Sequence, residues 1–289
     1  MTEYQSKNSK ITIYEPFHRR RIGLLRTWGM LIKNIASSRQ LIIQLFRRDF
    51  LNAYKKSFLG FGWLVLSPLV GAVSWLIMNS AGILAPGDVG IPYPAYVLLS
   101  SSIWGLFMNF FGAGRSTLDA GTGFIMQVRY PHEALLFKQA LQELANFLIS
   151  LLLNLVVLLI FGVHPSWMML LFPLLVLPLF FLGAGLGLLL AVIKVVASDV
   201  DRVFGVFLGL CIYVTPIVYA PKTKNAVLQA IINWNPLTYL IGTVRDATIY
   251  GRVSYWDKYF IAGGGALLIF LLAWRFFYLS EEMIIEKMI

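Results

Sequence analysis

Long apolar stretches alternate with polar, mostly basic segments along the 289 residues of this chain. A helix that crosses the roughly 30 Å hydrocarbon core of a bilayer needs about 20 apolar residues. Six stretches reach or approach that length: 61–84, 94–114, 144–163, 167–193, 203–220 and 259–279. The pattern therefore predicts an all-α membrane protein with six transmembrane helices.

The segment before the first predicted span has helical periodicity but is too polar to cross a membrane. Its apolar residues recur at three- and four-residue spacing, and they are Ile42, Leu45, Phe46, Phe50 and Tyr54. The opposite side carries Gln44, Arg47, Arg48, Asn52 and Lys55. We predict an amphipathic interfacial helix over 41–58, which serves either as a basic anchor on anionic lipid or as part of a docking surface for a soluble partner.

Two connecting segments, 115–143 and 221–258, are too long to be tight turns. In the first, Pro131 is compatible with the first turn of a helix that leads into the third span. In the second, Asn235 and Pro236 form a helix start and Gly251 a helix stop, which predicts an external helix that lies in or re-enters the outer interface. The predicted units are thus an N-terminal cytoplasmic arm 1–40, the interfacial helix 41–58, a transmembrane domain 59–280 and a cytoplasmic tail 281–289.

The distribution of basic residues sets the predicted orientation. Twelve of the 24 Lys and Arg residues precede the first predicted span. If both termini lie on one side, nineteen basic residues fall on that side and five on the other. Because Lys and Arg concentrate on the cytoplasmic side of membrane proteins, both termini are predicted to be cytoplasmic. The net charge of +10 therefore reflects membrane topology, and we expect no nucleic-acid partner.

Composition and motifs argue against several kinds of chemistry. The chain has 58% hydrophobic residues and one cysteine, Cys211, so neither a soluble domain nor a disulfide framework is expected. It lacks the GxxxxGK[ST] phosphate loop. The six predicted spans also hold no charged residue away from their ends, whereas ion-coupled carriers usually keep such groups near mid-membrane. We expect no cofactor in this chain, and any ATP would be bound by another subunit.

Asp199 and Asp201 form a DxD pair, which in a glycosyltransferase could hold a metal and a sugar nucleotide. The pair lies beside Arg202 in a short loop between two predicted spans. Local charge pairing at a helix start explains it more simply. A membrane-embedded glycosyl- or acyltransferase is the alternative class of function that these residues leave open.

Aromatic residues make up 15% of the chain, and many lie near span ends, where an interfacial belt would place them. A minority recur within the second and fifth spans at spacings that could line a conduit, where aromatic rings would stack on sugar rings. These are Trp104, Phe107, Phe111, Phe204, Phe207, Tyr213 and Tyr219. The pairs Gly183/Gly187 and Gly205/Gly209 match GxxxG and predict close helix contacts.

Three motifs, in this order, carry a family resemblance. They are Arg48-Asp49 with Tyr54-Lys55-Lys56-Ser57-Phe58-Leu59-Gly60 up to Trp63 and Pro68; Arg129-Tyr130-Pro131-His132-Glu133 with Lys138; and Asn235-Pro236-Leu237-Thr238-Tyr239 with Arg245-Asp246 and Gly251. Over residues 40 to 280 the chain resembles the ABC-2 type permeases, specifically the subfamily that exports O-antigen, capsule and teichoic acid polymers. His132 stands where that subfamily often has an arginine.

The resemblance implies a homodimer of this chain in the bacterial cytoplasmic membrane, with two copies of a separate ATPase that binds ATP and Mg²⁺. A lipid-linked glycan would be the substrate, and a small hydrophobic drug or lipid is the alternative cargo. The residues implied in coupling to the ATPase are Arg47, Arg48, Asp49, Arg129, Tyr130, Pro131, His132 and Glu133. Those implied in an external gate are Asn235, Pro236, Arg245 and Asp246.

Overall fold

The computed structural model describes residues 23–55, 58–118 and 132–288, which form helices and no β-strand. In chain order the helices are α1 Leu24–Ser37, α2 Arg39–Lys55, α3 Gly62–Ser80, α4 Tyr93–Arg115, α5 His132–Ile160, α6 Phe172–Leu175, α7 Leu177–Val196, α8 Ser198–Val214, α9 Ala226–Trp234, α10 Pro236–Tyr250 and α11 Trp256–Met288. A 3-10 turn, Trp167–Leu171, precedes α6. The predicted all-α class is confirmed.

Five segments are long and apolar enough to cross a membrane, among the residues that the structure describes. They are Gly62–Ser80, Tyr93–Arg115, Glu133–Ile160, Trp167–Val196 and Trp256–Ser280. The sixth predicted span, 203–220, corresponds to α8, which has 17 residues and begins five residues earlier than predicted, at Ser198. The count of six spans and the re-entrant path of the external segment stay predictions.

Helix α8 ends at Val214, six residues before the predicted end of its span. The cause is Pro216, because a residue that precedes proline is disfavoured in helical conformation. Thr215 is accordingly extended, with φ −108° and ψ 132°. Its hydroxyl donates to the Cys211 carbonyl at 2.7 Å. The following residues, 216–220, run as a non-helical and largely buried strap at this end of the bundle.

Helices α4, α7 and α11 form the centre of the bundle, with α7 packed against both neighbours. Glycines allow the close approach of α7 and α4: a Cβ added to Gly187 would lie 2.3 Å from the Phe111 carbonyl oxygen. One added to Gly114 would lie 2.6 Å from the Ala184 carbonyl oxygen. Small residues of this kind are what bring helix backbones together in lipid. The GxxxG pair Gly183/Gly187 therefore makes the predicted helix contact.

Helices α3 and α8 lie at the periphery and expose long apolar faces. Ala72 is the buried residue of α3, and Leu208 is the buried residue of α8. Their exposed apolar side chains, here called the open faces, are Trp63, Leu66, Val70, Val73 and Ile77 on α3, and Val200, Val203, Val206, Phe207, Leu210 and Tyr213 on α8. Gly205 and Gly209 have no atom within 4 Å of an added Cβ, so this GxxxG pair makes no close contact with the residues that the structure describes.

The predicted N-terminal arm contains a packed helix, α1, that its pattern did not lead us to expect. Trp28 and Ile35 pack against the core, and Leu31 is buried. The Trp28 indole donates to the Leu271 carbonyl at 3.3 Å, and Arg275 donates to the Thr27 hydroxyl at 3.4 Å. Residues 24–37 are therefore tied to α11, while the first 22 residues of the arm lie outside the described part of the chain.

Candidate functional site

The amphipathic helix α2 lies against the N-terminal half of α5. Ile42 is buried, and Phe46 and Phe50 are half-buried, while Arg47 and Arg48 are exposed on the opposite side. The Phe50 ring also contacts Phe61, with centroids 5.7 Å apart. The predicted helix over 41–58 is observed as Arg39–Lys55. Its apolar side is used for docking onto the bundle as well as for any contact with lipid.

An ion pair joins α2 to α5. Lys138 is buried, and its ammonium donates to the Asp49 carboxylate at 2.7 Å. Arg48 donates to the other oxygen of Asp49 at 2.7 Å. Burial raises the pKa of Asp49, but the hydrogen bonds and positive charges of Arg48 and Lys138 lower it more, so the net pKa lies below its usual value. Asp49 is therefore charged at neutral pH, and the ion pair is present.

A second polar contact connects α1 to the start of α5. The Asn34 amide donates to the buried Glu133 carboxylate at 2.9 Å. Two of the residues predicted to couple to the ATPase, Asp49 and Glu133, thus link helices at this end of the bundle. Asp49 pairs with Lys138 of α5, and Glu133 accepts from Asn34 of α1. Helix α5 begins at His132. Arg129, Tyr130 and Pro131 lie outside the described residues.

The same end of the bundle, here called the inner end, holds a further ion pair between α4 and α8. The Arg115 guanidinium donates to both carboxylate oxygens of Asp201, and Lys194 donates to the Arg115 carbonyl at 3.1 Å. The Asp199 side chain is instead exposed to solvent. One of its carboxylate oxygens lies 3.9 Å from a guanidinium nitrogen of Arg202. The two carboxylates of the DxD pair therefore have different partners. Within the described ranges no group of three His, Cys, Asp or Glu side chains could hold a metal ion.

At the opposite end of the bundle, here called the outer end after its predicted side, Asn235 caps α10 and bonds to Thr215, the residue before the strap. Its side-chain oxygen accepts from the Leu237 N–H at 3.0 Å, as expected of an N-cap. Its amide group donates to the Thr215 hydroxyl at 2.8 Å. Gly251 ends the helix with φ 61°. The predicted start and stop of this helix are confirmed, whereas the short helix before it, Ala226–Trp234, was not predicted.

Arg245 is the most deeply buried charge described at the outer end, with 5% of the residue exposed. Its guanidinium carbon lies 4.7 Å from the centroid of the Tyr96 ring. The guanidinium donates to the Tyr96 hydroxyl at 2.7 Å and to the Pro216 carbonyl at 3.2 Å. Asp246 pairs with it at 3.2 Å and accepts from Ser254 at 2.8 Å. The Tyr96 hydroxyl is also 2.9 Å from the Tyr219 carbonyl. Arg245 thereby joins α10, α4 and the strap.

The seven aromatic residues predicted to line a conduit fall into three sets by burial: three are buried, two are exposed and two are half-buried. Trp104, Phe107 and Phe111 are buried in the core of the chain. Phe207 and Tyr213 belong to the open face of α8, with 58% and 57% of each residue exposed. Phe204 and Tyr219 are half-buried, and Phe204 contacts Phe111 with ring centroids 5.9 Å apart.

Placing the third span at 144–163 left out three ionisable residues of the observed segment Glu133–Ile160, and Glu143 is the one nearest the predicted span. Helix α5 is continuous from His132 to Ile160, so Glu143 lies inside the segment that can cross a membrane. Asn146 donates to its carboxylate at 3.5 Å. The signal was present in the sequence, because Glu143 directly precedes the apolar run and lies three residues before a polar amide.

The helices and their polar ties at both ends are those of a multi-pass membrane protein, in keeping with a transport function. The chain belongs to the ABC-2 type transporter family, whose profile matches residues 40–249. The family expected from the sequence motifs is confirmed.

Several relatives align over most of their own length. An O-antigen export system permease protein RfbA from Myxococcus xanthus is 28% identical over 222 residues, which are 76% of this chain and 84% of that protein. Two proteins of the same description from Klebsiella pneumoniae are 24% and 22% identical over 218 residues, which are 74% of this chain and 82% of each relative.

Proposed function

We propose that this chain is the permease subunit of an exporter that moves a lipid-linked polysaccharide, of the O-antigen, capsule or teichoic acid type, across the bacterial cytoplasmic membrane. The observation that carries the proposal is the alignment with O-antigen export permeases over 82% to 84% of their length. The lack of a phosphate loop in the sequence supports a separate ATPase subunit as the source of work. On this proposal α8 completes six spans, and both termini face the cytoplasm.

The inner end would receive the motion of two ATPase copies. Two contacts tie α1 and α2 to the start of α5: the ion pair of Asp49 with Lys138 and the hydrogen bond of Asn34 to Glu133. A movement of α1 or α2 is therefore transmitted to α5, a long helix that runs to the other end of the bundle. The segment around residues 115–133 would act as the coupling helix. Lys138 is the residue on which this transmission depends, because it is the buried partner of the ion pair.

A homodimer would enclose the path of the glycan. The open faces of α3 and α8 support this, because they are apolar surfaces that the described part of the chain leaves uncovered. Phe207 and Tyr213 on α8 are the predicted conduit aromatics that remain exposed, and their rings would stack on passing sugars. The external segment is held by Asn235, Arg245 and Asp246, and its helix α10 begins at Pro236. It would close the path at the outer side by re-entering the membrane.

Deletion of the gene with complementation tests the proposed function. We expect the deletion strain to lose its surface polysaccharide and to accumulate the lipid-linked glycan inside the cell, and the wild-type gene to restore export. The variant Lys138→Met should restore export poorly, because it leaves Asp49 without its buried partner. The exchanged pair Asp49→Lys with Lys138→Asp should recover part of that loss, since it re-forms the ion pair. All three proteins are compared at equal membrane abundance.

An unchanged surface polysaccharide in the deletion strain would contradict the proposed function. Accumulation of a drug or phospholipid instead of a glycan would favour the alternative cargo. Full export with Lys138→Met would contradict the role of the ion pair in coupling while leaving the proposed substrate intact.

A further inference from the structure

Two cavities run through the inner half of the chain. One, of about 410 Å³, lies between α2, α4 and α5, and its wall includes Asp49, Lys138 and Glu143. The other, of about 330 Å³, lies between α3, α4 and α5, and its wall includes Ser102 and Ser150. Asn109 lines both cavities. The two cavities are adjacent at Asn109 and are here together called the polar groove, which extends from α2 to the middle of α5.

The wall of this groove is unusually polar for a membrane-spanning region. Asn109 and Asn146 lie within reach of the Glu143 carboxylate, and Gln139 and Gln142 lie on the same wall. Pro68 on α3 has no N–H to donate to the Leu64 carbonyl, and both residues line the groove. Polar groups at this depth are costly unless they face water, one another or a ligand. They are turned towards the groove, which is a space that could hold any of these.

One side chain in the groove has no partner for its hydrogen-bonding group. Ser150 is 7% exposed and lines the cavity, and its hydroxyl has no partner among the described residues. Asn154, one turn further along α5, donates to the Ser102 hydroxyl at 3.1 Å, but its side-chain oxygen also has no partner in the described ranges. Leaving a buried polar group unpaired costs about 1 to 3 kcal/mol, so a ligand that supplies the missing partner is favoured.

We infer that the polar groove binds the sugar part of the lipid-linked substrate as it enters from the inner leaflet, an inference that rests on the proposed function. Hydroxyl groups of a sugar both donate and accept, so they match a wall of amides, serine hydroxyls and a carboxylate. Trp63 at the edge of the groove offers an aromatic face, and it is half exposed. The lipid tail would remain outside the groove, in the bilayer. The groove is thus an entry site within one chain, separate from the conduit between chains.

The test is the ATP hydrolysis of the purified complex with its ATPase, measured against added lipid-linked glycan extracted from the host membranes. Two further arms use the same extract after mild acid has removed the glycan, and vesicles of phosphatidylethanolamine alone.

The variants are Ser150→Ala and Asn109→Leu. Removing a hydroxyl that has no partner does not destabilise the free protein, so a weaker response of Ser150→Ala reports ligand binding. The matched control is Ser100→Ala, whose buried hydroxyl also has no partner but lines neither cavity.

The glycan concentration for half-maximal stimulation is expected to rise about fivefold for Ser150→Ala and about tenfold for Asn109→Leu, the effect of losing one or two hydrogen bonds to the ligand. Ser100→Ala should respond as wild type does. Wild-type responses from Ser150→Ala and Asn109→Leu would overturn the inference but not the proposed function, and so would equal stimulation by the glycan-free lipid or by phosphatidylethanolamine. If no lipid-linked glycan stimulates the wild-type complex, the proposed function fails, and the inference fails with it.

Discussion

Replacing Gly187 with alanine is expected to prevent the normal packing of α4 on α7. The added Cβ would lie 2.3 Å from the Phe111 carbonyl oxygen, 2.7 Å from the Arg115 nitrogen and 2.9 Å from the Gly114 Cα, all of which are backbone atoms that no rotamer change can move. Overpacking of this kind costs about 1 to 3 kcal/mol or more. We expect a fall of roughly 5 to 10 °C in the apparent melting temperature of the purified protein and a smaller monodisperse fraction in gel filtration.

The other GxxxG pair supplies the control for Gly187. An added Cβ at Gly209 has open space around it, so Gly209→Ala places the same methyl group on a helix without a clash in the chain. It should leave the melting temperature within about 2 °C of wild type, since surface substitutions usually change stability by no more than 0.5 kcal/mol. An equal loss of stability in the two variants would contradict the close contact between α4 and α7.

Replacing Arg245 with leucine is expected to release the strap at the outer end. The change leaves Asp246 without its buried partner and removes the donor to Tyr96 and to the Pro216 carbonyl. Breaking a buried ion pair by removing one partner typically costs about 3 to 5 kcal/mol. Lys222 and Lys224 follow the strap, so we expect trypsin to cleave there at least about tenfold faster in membranes, in proportion to the increased local opening.

Arg252 is the matched control for Arg245. It is an exposed arginine seven residues further along, and it contacts the Tyr250 ring at 5.4 Å. Arg252→Leu should leave the cleavage rate near Lys222 and Lys224 unchanged, because an exposed pair contributes less than 1 kcal/mol. If Arg245→Leu and Arg252→Leu are cleaved at the wild-type rate, Arg245 does not hold the strap.

Local features of the structure could be predicted because each depends on a few adjacent residues. The external helix α10 begins at Pro236 and ends at Tyr250, as Asn235 and Gly251 indicated. Helix α2 follows its apolar periodicity. The apolar stretches located the five segments long enough to cross a membrane. In each case a short-range rule, such as capping or helical periodicity, decides the conformation.

The polar ties between helices could not be predicted, because they join residues far apart in the chain. Tyr96 and Arg245 are 149 positions apart, and Arg115 and Asp201 are 86 apart. The same holds for Asp49 with Lys138. No local pattern indicates which of the basic residues finds which carboxylate. Similarly, the burial of Phe107 and Phe111 follows from the contact of α4 with α7, so their spacing within the helix could not distinguish a core position from a conduit wall.

The polar groove provides the entry site for the glycan path of the central proposal. Glycan would bind between α3, α4 and α5 next to the ion pair that ties α2 to α5, so the entry site and the coupling surface share Asp49 and Lys138. A movement of α2 driven by an ATPase would then change the shape of the groove directly. This arrangement accounts for three observations: the polar wall of the groove, the burial of Lys138 and the lack of a phosphate loop in the sequence.

Transport in reconstituted vesicles tests the central claim most directly. The chain is co-purified with its proposed ATPase subunit, placed in vesicles that contain the lipid-linked glycan, and assayed for movement of the glycan to the opposite leaflet. The account predicts movement that requires both ATP and the ATPase subunit and that stops when the phosphate-loop lysine of the ATPase is replaced. Movement by this chain alone, driven by a proton or sodium gradient without any bound ATPase, would contradict it.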